Sequence, residues 1–178
     1  RGASGLTCAT PFEAEVMSSV CDDVLVAYPP VGAPRARRIA ALPPGINVTV
    51  ALDSVRALDD LHAAAKMADR PIGVLVELDL GMHRVGVADV ADAVELARAV
   101  RARPPLQWKG IAFYPGHIRQ SVATQDDAIA QLNDALGLAL AVFRTAGFDP
   151  AIVSGGSTPT LWRTRARSRT IRKSPIGA

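Results

Sequence analysis

Short apolar runs recur along the chain at fairly even intervals, over residues 5–9, 24–28, 46–52, 72–80, 110–114 and 151–153. They are rich in Val, Ile and Leu rather than alternating with polar residues, the pattern of strands covered on both faces. Helical patterns lie between most of them. Thr10-Pro11-Phe12-Glu13 reads as a capping box with proline in the first turn, and predicts a helix to about Val20. Residues 33–41 form a short basic helix ended by Pro43-Pro44-Gly45. Asp53 or Ser54 caps 55–68, where Val55, Leu58, Leu61, Ala65 and Met67 make an apolar stripe. Residues 89–101 repeat the theme, and the longest helix, 125–146, closes at Gly147, a natural left-handed terminator.

Strand and helix alternating through mostly short connections predict parallel βα units. About six such units fit here, whereas a complete (β/α)8 barrel takes about 250 residues. Periodicity alone fits an open doubly wound sheet as well as most of a barrel.

Composition narrows the class. Of the 178 residues, 49% are hydrophobic and only 4% aromatic, which suits one globular domain with an aliphatic core. No apolar run approaches the ~18–20 residues of a membrane span. Cys8 and Cys21 have neither metal-type nor disulfide-framework spacing, so reduced thiols in the cytoplasm are expected. The start, Arg1-Gly2-Ala3-Ser4, shows no initiator Met and no signal pattern, and reads as the interior of a longer protein. Residues 163–178 carry six basic groups and no acid, and these outweigh the net charge of +3, leaving 1–162 at −3. The basicity therefore belongs to a tail without periodicity or interleaved aromatics, which argues against nucleic-acid binding and for an irregular end.

Polar residues and glycines gather where strands finish, the end at which α/β proteins place their sites. Tyr28-Pro29-Pro30-Val31-Gly32 follows the second run, and Glu77-Leu78-Asp79-Leu80-Gly81-Met82-His83-Arg84-Val85-Gly86-Val87 closes the fourth. Tyr114-Pro115-Gly116-His117 closes the fifth, and Ser154-Gly155-Gly156-Ser157-Thr158 the sixth. Two glycines among hydroxyls after a strand make a seat for a phosphate, because backbone N–H groups can approach an anion closely there. Arg84 offers a permanent planar cation for a phenolate, carboxylate or phosphate. Asp79 with His83 is at most half a metal site, so no metal is expected on these residues. Cys8 reads as a small buried apolar residue.

In this order and spacing, Val26 to Gly32, Val76 to Val87, Tyr114 to His117 and Ser154 to Thr160 resemble the D-threonine aldolase and D-serine dehydratase family. Those are pyridoxal-phosphate enzymes built on an alanine-racemase-like barrel. The resemblance spans about 1–162 and implies an incomplete (β/α)8 barrel with about six of eight units, followed by a basic irregular tail, 163–178. It implies that Ser154, Gly155, Gly156, Ser157 and Thr158 cradle the cofactor phosphate, and that Arg84 faces its phenolic oxygen. By the same resemblance Tyr114 approaches the pyridine nitrogen and His117 lies on the substrate side. Family members act on small D-amino acids and are often homodimers.

Two departures qualify this. The family's Schiff-base lysine precedes the first run here, and Lys66, Lys109 and Lys173 are poor substitutes: a helix residue, one at the start of a strand far from the mouth, and one in the tail. The family's divalent metal belongs to a C-terminal domain beyond this chain, and the arginine-rich ending resembles loss of reading frame. The expectation is a fragment of a lyase for D-3-hydroxy amino acids, inactive alone, marginally stable and prone to self-association. Alternatives are a D-serine dehydratase or racemase fragment, or a non-catalytic pyridoxal-phosphate binder.

Overall fold

The structure, a computed structural model, describes residues 4–163. Six strands alternate with five helices among the described residues. The strands are β1 (Leu6–Cys8), β2 (Asp23–Val26), β3 (Asn47–Leu52), β4 (Ile72–Leu78), β5 (Leu106–Phe113) and β6 (Ile152–Gly155). The helices are α1 (Pro11–Met17), α2 (Ala33–Ala40), α3 (Val55–Met67), α4 (Val90–Arg101) and α5 (Asp126–Thr145). Caps sit where side-chain chemistry places them. Thr10, Ser54 and Asp89 each accept a first-turn N–H of α1, α3 and α4.

All strands pair in parallel and in chain order, β1 through β6. A doubly wound sheet reverses its strand order at a switch point. This one never reverses, so the ambiguity left by periodicity resolves in favour of a barrel wall: six parallel strands of a (β/α)8 barrel, the first five each followed by a helix. Val24, Val26, Val50, Leu52, Val74 and Val76 bury one sheet face under the helices, in a single large core. The other, inner face carries a much smaller cluster of Ala51, Leu75 and Ala112 with Leu25 against it. No helix among the described residues is long and apolar enough to cross a membrane.

Three boundaries differ from expectation. Helix α1 stops at Met17, where the Ser18 and Ser19 hydroxyls turn back onto the Glu15 and Val16 carbonyls. Strand β6 continues through Ser154 and Gly155, which pair with Ala112 and Phe113 instead of opening a loop. Strand β5 begins at Leu106, so Lys109 lies inside it rather than at its start. The reason is a bulge: Val74 pairs with Trp108 but Leu75 with Gly110, leaving Lys109 as the extra residue. Of the expected basic tail, residues 164–178 lie outside the described residues. Arg163 donates to the Val122 carbonyl and pairs with Asp126 at 3.4 Å.

Among the described residues β1 and β6 are sheet edges. Phe12, Val16 and Val20 stand exposed beside the first, Leu161 and Trp162 beyond the second. Unpaired edges flanked by apolar side chains promote association. Sedimentation velocity on the isolated 178-residue chain is expected to show weight-average mass rising with concentration; a monomer throughout would overturn this.

Candidate functional site

Side chains alternate across a strand, so on β4 Leu75 and Glu77 share the inner face while Val74, Val76 and Leu78 face the helices. Small residues on the inner face (Ala27, Ala51, Ala112) leave room at the carboxyl ends of the strands. The result is a cleft of about 660 Å³, of the size that holds a small molecule. Its floor is apolar, Glu77 lies inside it, and its rim carries Tyr28, Arg84, Tyr114 and the glycine-hydroxyl loop.

The segment after β4 is pinned at several points. Asp79 Oδ1 accepts the N–H groups of Gly81 (3.0 Å) and His83 (2.9 Å), and Oδ2 meets His83 Nδ1 at 3.0 Å. Asp53 Oδ2 accepts the Gly86 N–H at 3.0 Å, and Val87 bridges back onto Leu78. Gly86, at φ +102°, lies so close to Leu78 and Asp79 that a Cβ would stand 2.5 Å from their backbone. These contacts place Arg84 between two rings, its guanidinium carbon 5.2 Å from the Tyr28 centroid and 4.9 Å from that of Tyr114. Burial pushes the Asp79 carboxyl up, but the Gly81 and His83 hydrogen bonds outweigh it and hold the group below its usual range.

Ser154, Gly155, Gly156, Ser157 and Thr158 all line the same cleft. Gly155 packs closely on the Phe113 ring: a Cβ there would stand 2.2 Å from it, so a side chain at 155 would displace the ring. The position a Cβ would take on Gly156 meets nothing within 4 Å, so the loop has open space on that side. Ser157 is held by Thr160, whose Oγ1 accepts the Ser157 N–H at 3.2 Å and lies 3.0 Å from its hydroxyl.

The structure thus brings Arg84, Tyr114 and residues 154–158 together. His117 is not in the cleft lining; its exposed ring lies against Gly81, where a Cβ would stand 3.1 Å from Nε2. His83 points to solvent on the Asp79 turn. Cys8 is buried beneath the helices. No lysine lines the cleft among the described residues. Lys66 is exposed on α3, and Lys109 Cγ packs beside Gly73 near the opposite end of the sheet. No cluster of three or more potential metal ligands occurs among the described residues.

Sequence reasoning gave no role to Glu77, the carboxyl inside the cleft. It is 5% exposed, and its Oε2 is buried without a hydrogen-bond partner among the described residues. Burial, then the nearby Asp53, push its pKa up to about 7 against the pull of Arg84, with Asp79 adding to the rise. Its signal was a lone acid inside an apolar strand, Val74-Leu75-Val76-Glu77-Leu78, which no satisfied core would hold without reason.

Comparison with known proteins agrees with this architecture. Residues 1–172 match the family described as alanine racemase, N-terminal domain. The chain is 36% identical over 169 residues to the 3-hydroxy-D-aspartate aldolase of Paracoccus denitrificans (strain Pd 1222), covering 90% of this chain and 43% of that protein. It superposes on the crystal structure of D-threonine aldolase from Filomicrobium marinum with TM-score 0.86 and 29% identity, over 90% of this chain and 44% of that one. For the alanine racemase of Streptomyces lavendulae the TM-score is 0.72 at 26% identity, over 89% and 41% of the two chains. The chain therefore spans less than half the length of these relatives. Strand order, a cleft at the strand ends and a family match over nearly every residue converge: this chain belongs to the alanine racemase N-terminal domain family.

Proposed function

We propose that this chain is the cofactor-binding part of a pyridoxal-phosphate lyase acting on D-3-hydroxy amino acids. One observation carries the reading: a caged cation, Arg84 between Tyr28 and Tyr114, shares a 660 Å³ cleft with a glycine-hydroxyl loop. The likeness in shape to D-threonine aldolase, closer than that to the racemase, and the sequence likeness to 3-hydroxy-D-aspartate aldolase support the lyase branch.

The residues present fit the cofactor. Open space beside Gly156 and the hydroxyl-bearing residues Ser154, Ser157 and Thr158 suit a phosphate, and the apolar floor suits an aromatic ring. Arg84 would meet the phenolic oxygen, its orientation fixed by two rings and by a loop tied to Asp53 and Asp79. Tyr114 would face the ring nitrogen as a weak partner, and His117 would stand outside, toward the substrate. When bound, the cofactor supplies an electron sink for a substrate carbanion. With no lysine on the cleft lining among the described residues, the 178-residue chain alone binds the cofactor without turnover.

Equilibrium dialysis of the full chain against pyridoxal 5′-phosphate tests this. Saturable binding is expected, weaker for pyridoxal lacking the phosphate. Arg84→Met is expected to weaken it about tenfold or more, the scale of one lost charge-assisted contact. Failure to bind, equal affinity for pyridoxal, or substantial D-threonine consumption by the chain alone would overturn the reading.

A further inference from the structure

Among the described residues Glu77 is the one carboxyl on the lining of the cleft, and nothing in the cofactor reading accounts for it. Its buried Oε2 has no hydrogen-bond partner among the described residues. An unpartnered buried carboxyl oxygen is costly unless something supplies the missing partner or the group stays neutral. Three charged groups act on it: Asp53 at the end of β3, and Asp79 and Arg84 beyond its own β4. Tyr114, after β5, lines the same space. Arg84 itself has no carboxylate within ion-pair distance among the described residues, so its charge is not already neutralised; it rests on two tyrosine rings instead.

Resting on the cofactor reading, we infer that Glu77 is a further ligand-binding residue, which must carry its proton for the cleft to accept an anionic ligand. Protonated, it leaves the Arg84 charge uncompensated and adds an O–H donor to the lining. Ionised, it stands as a third carboxylate beside Asp53 and Asp79, cancels Arg84 and repels a phosphate. Its pKa, raised to about 7, puts the change within the ordinary pH range. Binding at alkaline pH is therefore linked to uptake of one proton by Glu77.

The test compares the full-length wild-type chain with Glu77→Gln, using pyridoxal 5′-phosphate as probe from pH 5.5 to 8.5. Dialysis gives the affinity, and calorimetry in buffers of different ionisation enthalpy counts protons taken up. Above pH 7 the wild type is expected to lose affinity about tenfold per pH unit relative to Glu77→Gln, whose profile reports the probe's own ionisation. At pH 8 it should take up about one proton more than the variant. A second variant, Asp53→Asn, should shift the onset of this loss to lower pH whatever it does to absolute affinity, because Asp53 holds the Glu77 pKa up. Binding with identical profiles and proton counts in wild type and Glu77→Gln overturns the inference alone. Absence of binding by either at every pH overturns the cofactor reading, and this inference with it.

Discussion

Gly110→Ala is expected to destabilise the chain by about 3 kcal/mol or more, among the larger losses a single substitution causes. The cause is local and severe. Gly110 has φ +149°, and a Cβ there would stand 1.9 Å from the Ile152 carbonyl oxygen and 2.9 Å from its carbon. Both are backbone atoms of the neighbouring strand, so no side-chain rotation relieves the clash. The bulge at Lys109 sets this approach, because it brings Gly110 opposite both Leu75 and Ile152. Pairing from Gly110–Ile152 to Phe113–Gly155 holds β6, and β6 carries the glycine-hydroxyl loop. Loss of stability and loss of pyridoxal 5′-phosphate binding should therefore appear together.

Gly137→Ala provides the contrast. That glycine lies within α5, and a Cβ there meets nothing within 4 Å, so alanine should stabilise by about 0.5–1 kcal/mol. Urea denaturation of both variants measures the pair. Equal small effects would show that β5 and β6 are not held as closely as the structure has them.

The same bulge marks where the sequence stopped being legible. The six strands and five helices were readable because caps, apolar stripes and strand runs are local signals. Strand order was not, because pairing between distant segments leaves no trace in local periodicity; the choice of a barrel over a doubly wound sheet came from the family resemblance, and the unreversed strand order agrees with it. The start of β5 was missed because Gln107, Trp108 and Lys109 break the apolar pattern that marks the other strands. Arg84, Tyr114 and residues 154–158 were visible as motifs expected to share one mouth, and they do line one cleft; the hydrogen bonds that pin the Arg84 segment were not legible. Nor was the stacking of Arg84 on Tyr28, a residue quoted in a motif and given no role. Glu77 was passed over for a related reason. Its neighbours Asp79 and Arg84 drew the chemistry, while its own place on the inner face follows only from strand parity with Leu75.

Glu77→Gln is expected to stabilise the unliganded chain by about 3 kcal/mol at pH 8 and by little at pH 4.5. Its carboxyl pKa rises from 4.5 to about 7 on folding, and each pKa unit corresponds to about 1.4 kcal/mol. A raised carboxyl pKa means that the folded chain holds a proton the unfolded chain has released. Stability therefore falls as pH climbs from about 4.5 to about 7, and above that the full cost of burying the ionised group remains. Glutamine has nearly the same shape and no proton to lose, so the variant should lack this fall. Asp79 works in the opposite sense and in a separate window. Its lowered pKa stabilises the folded chain above the ordinary Asp value of 3.8, and that gain is lost only in stronger acid. Urea denaturation of wild type and Glu77→Gln at pH 4.5, 6 and 8 distinguishes the outcomes. A difference that grows with pH supports a carboxyl kept neutral by its surroundings. A difference independent of pH would mean that Glu77 is solvated in the folded chain, and that its isolation between Asp53 and Asp79 is not what sets its charge.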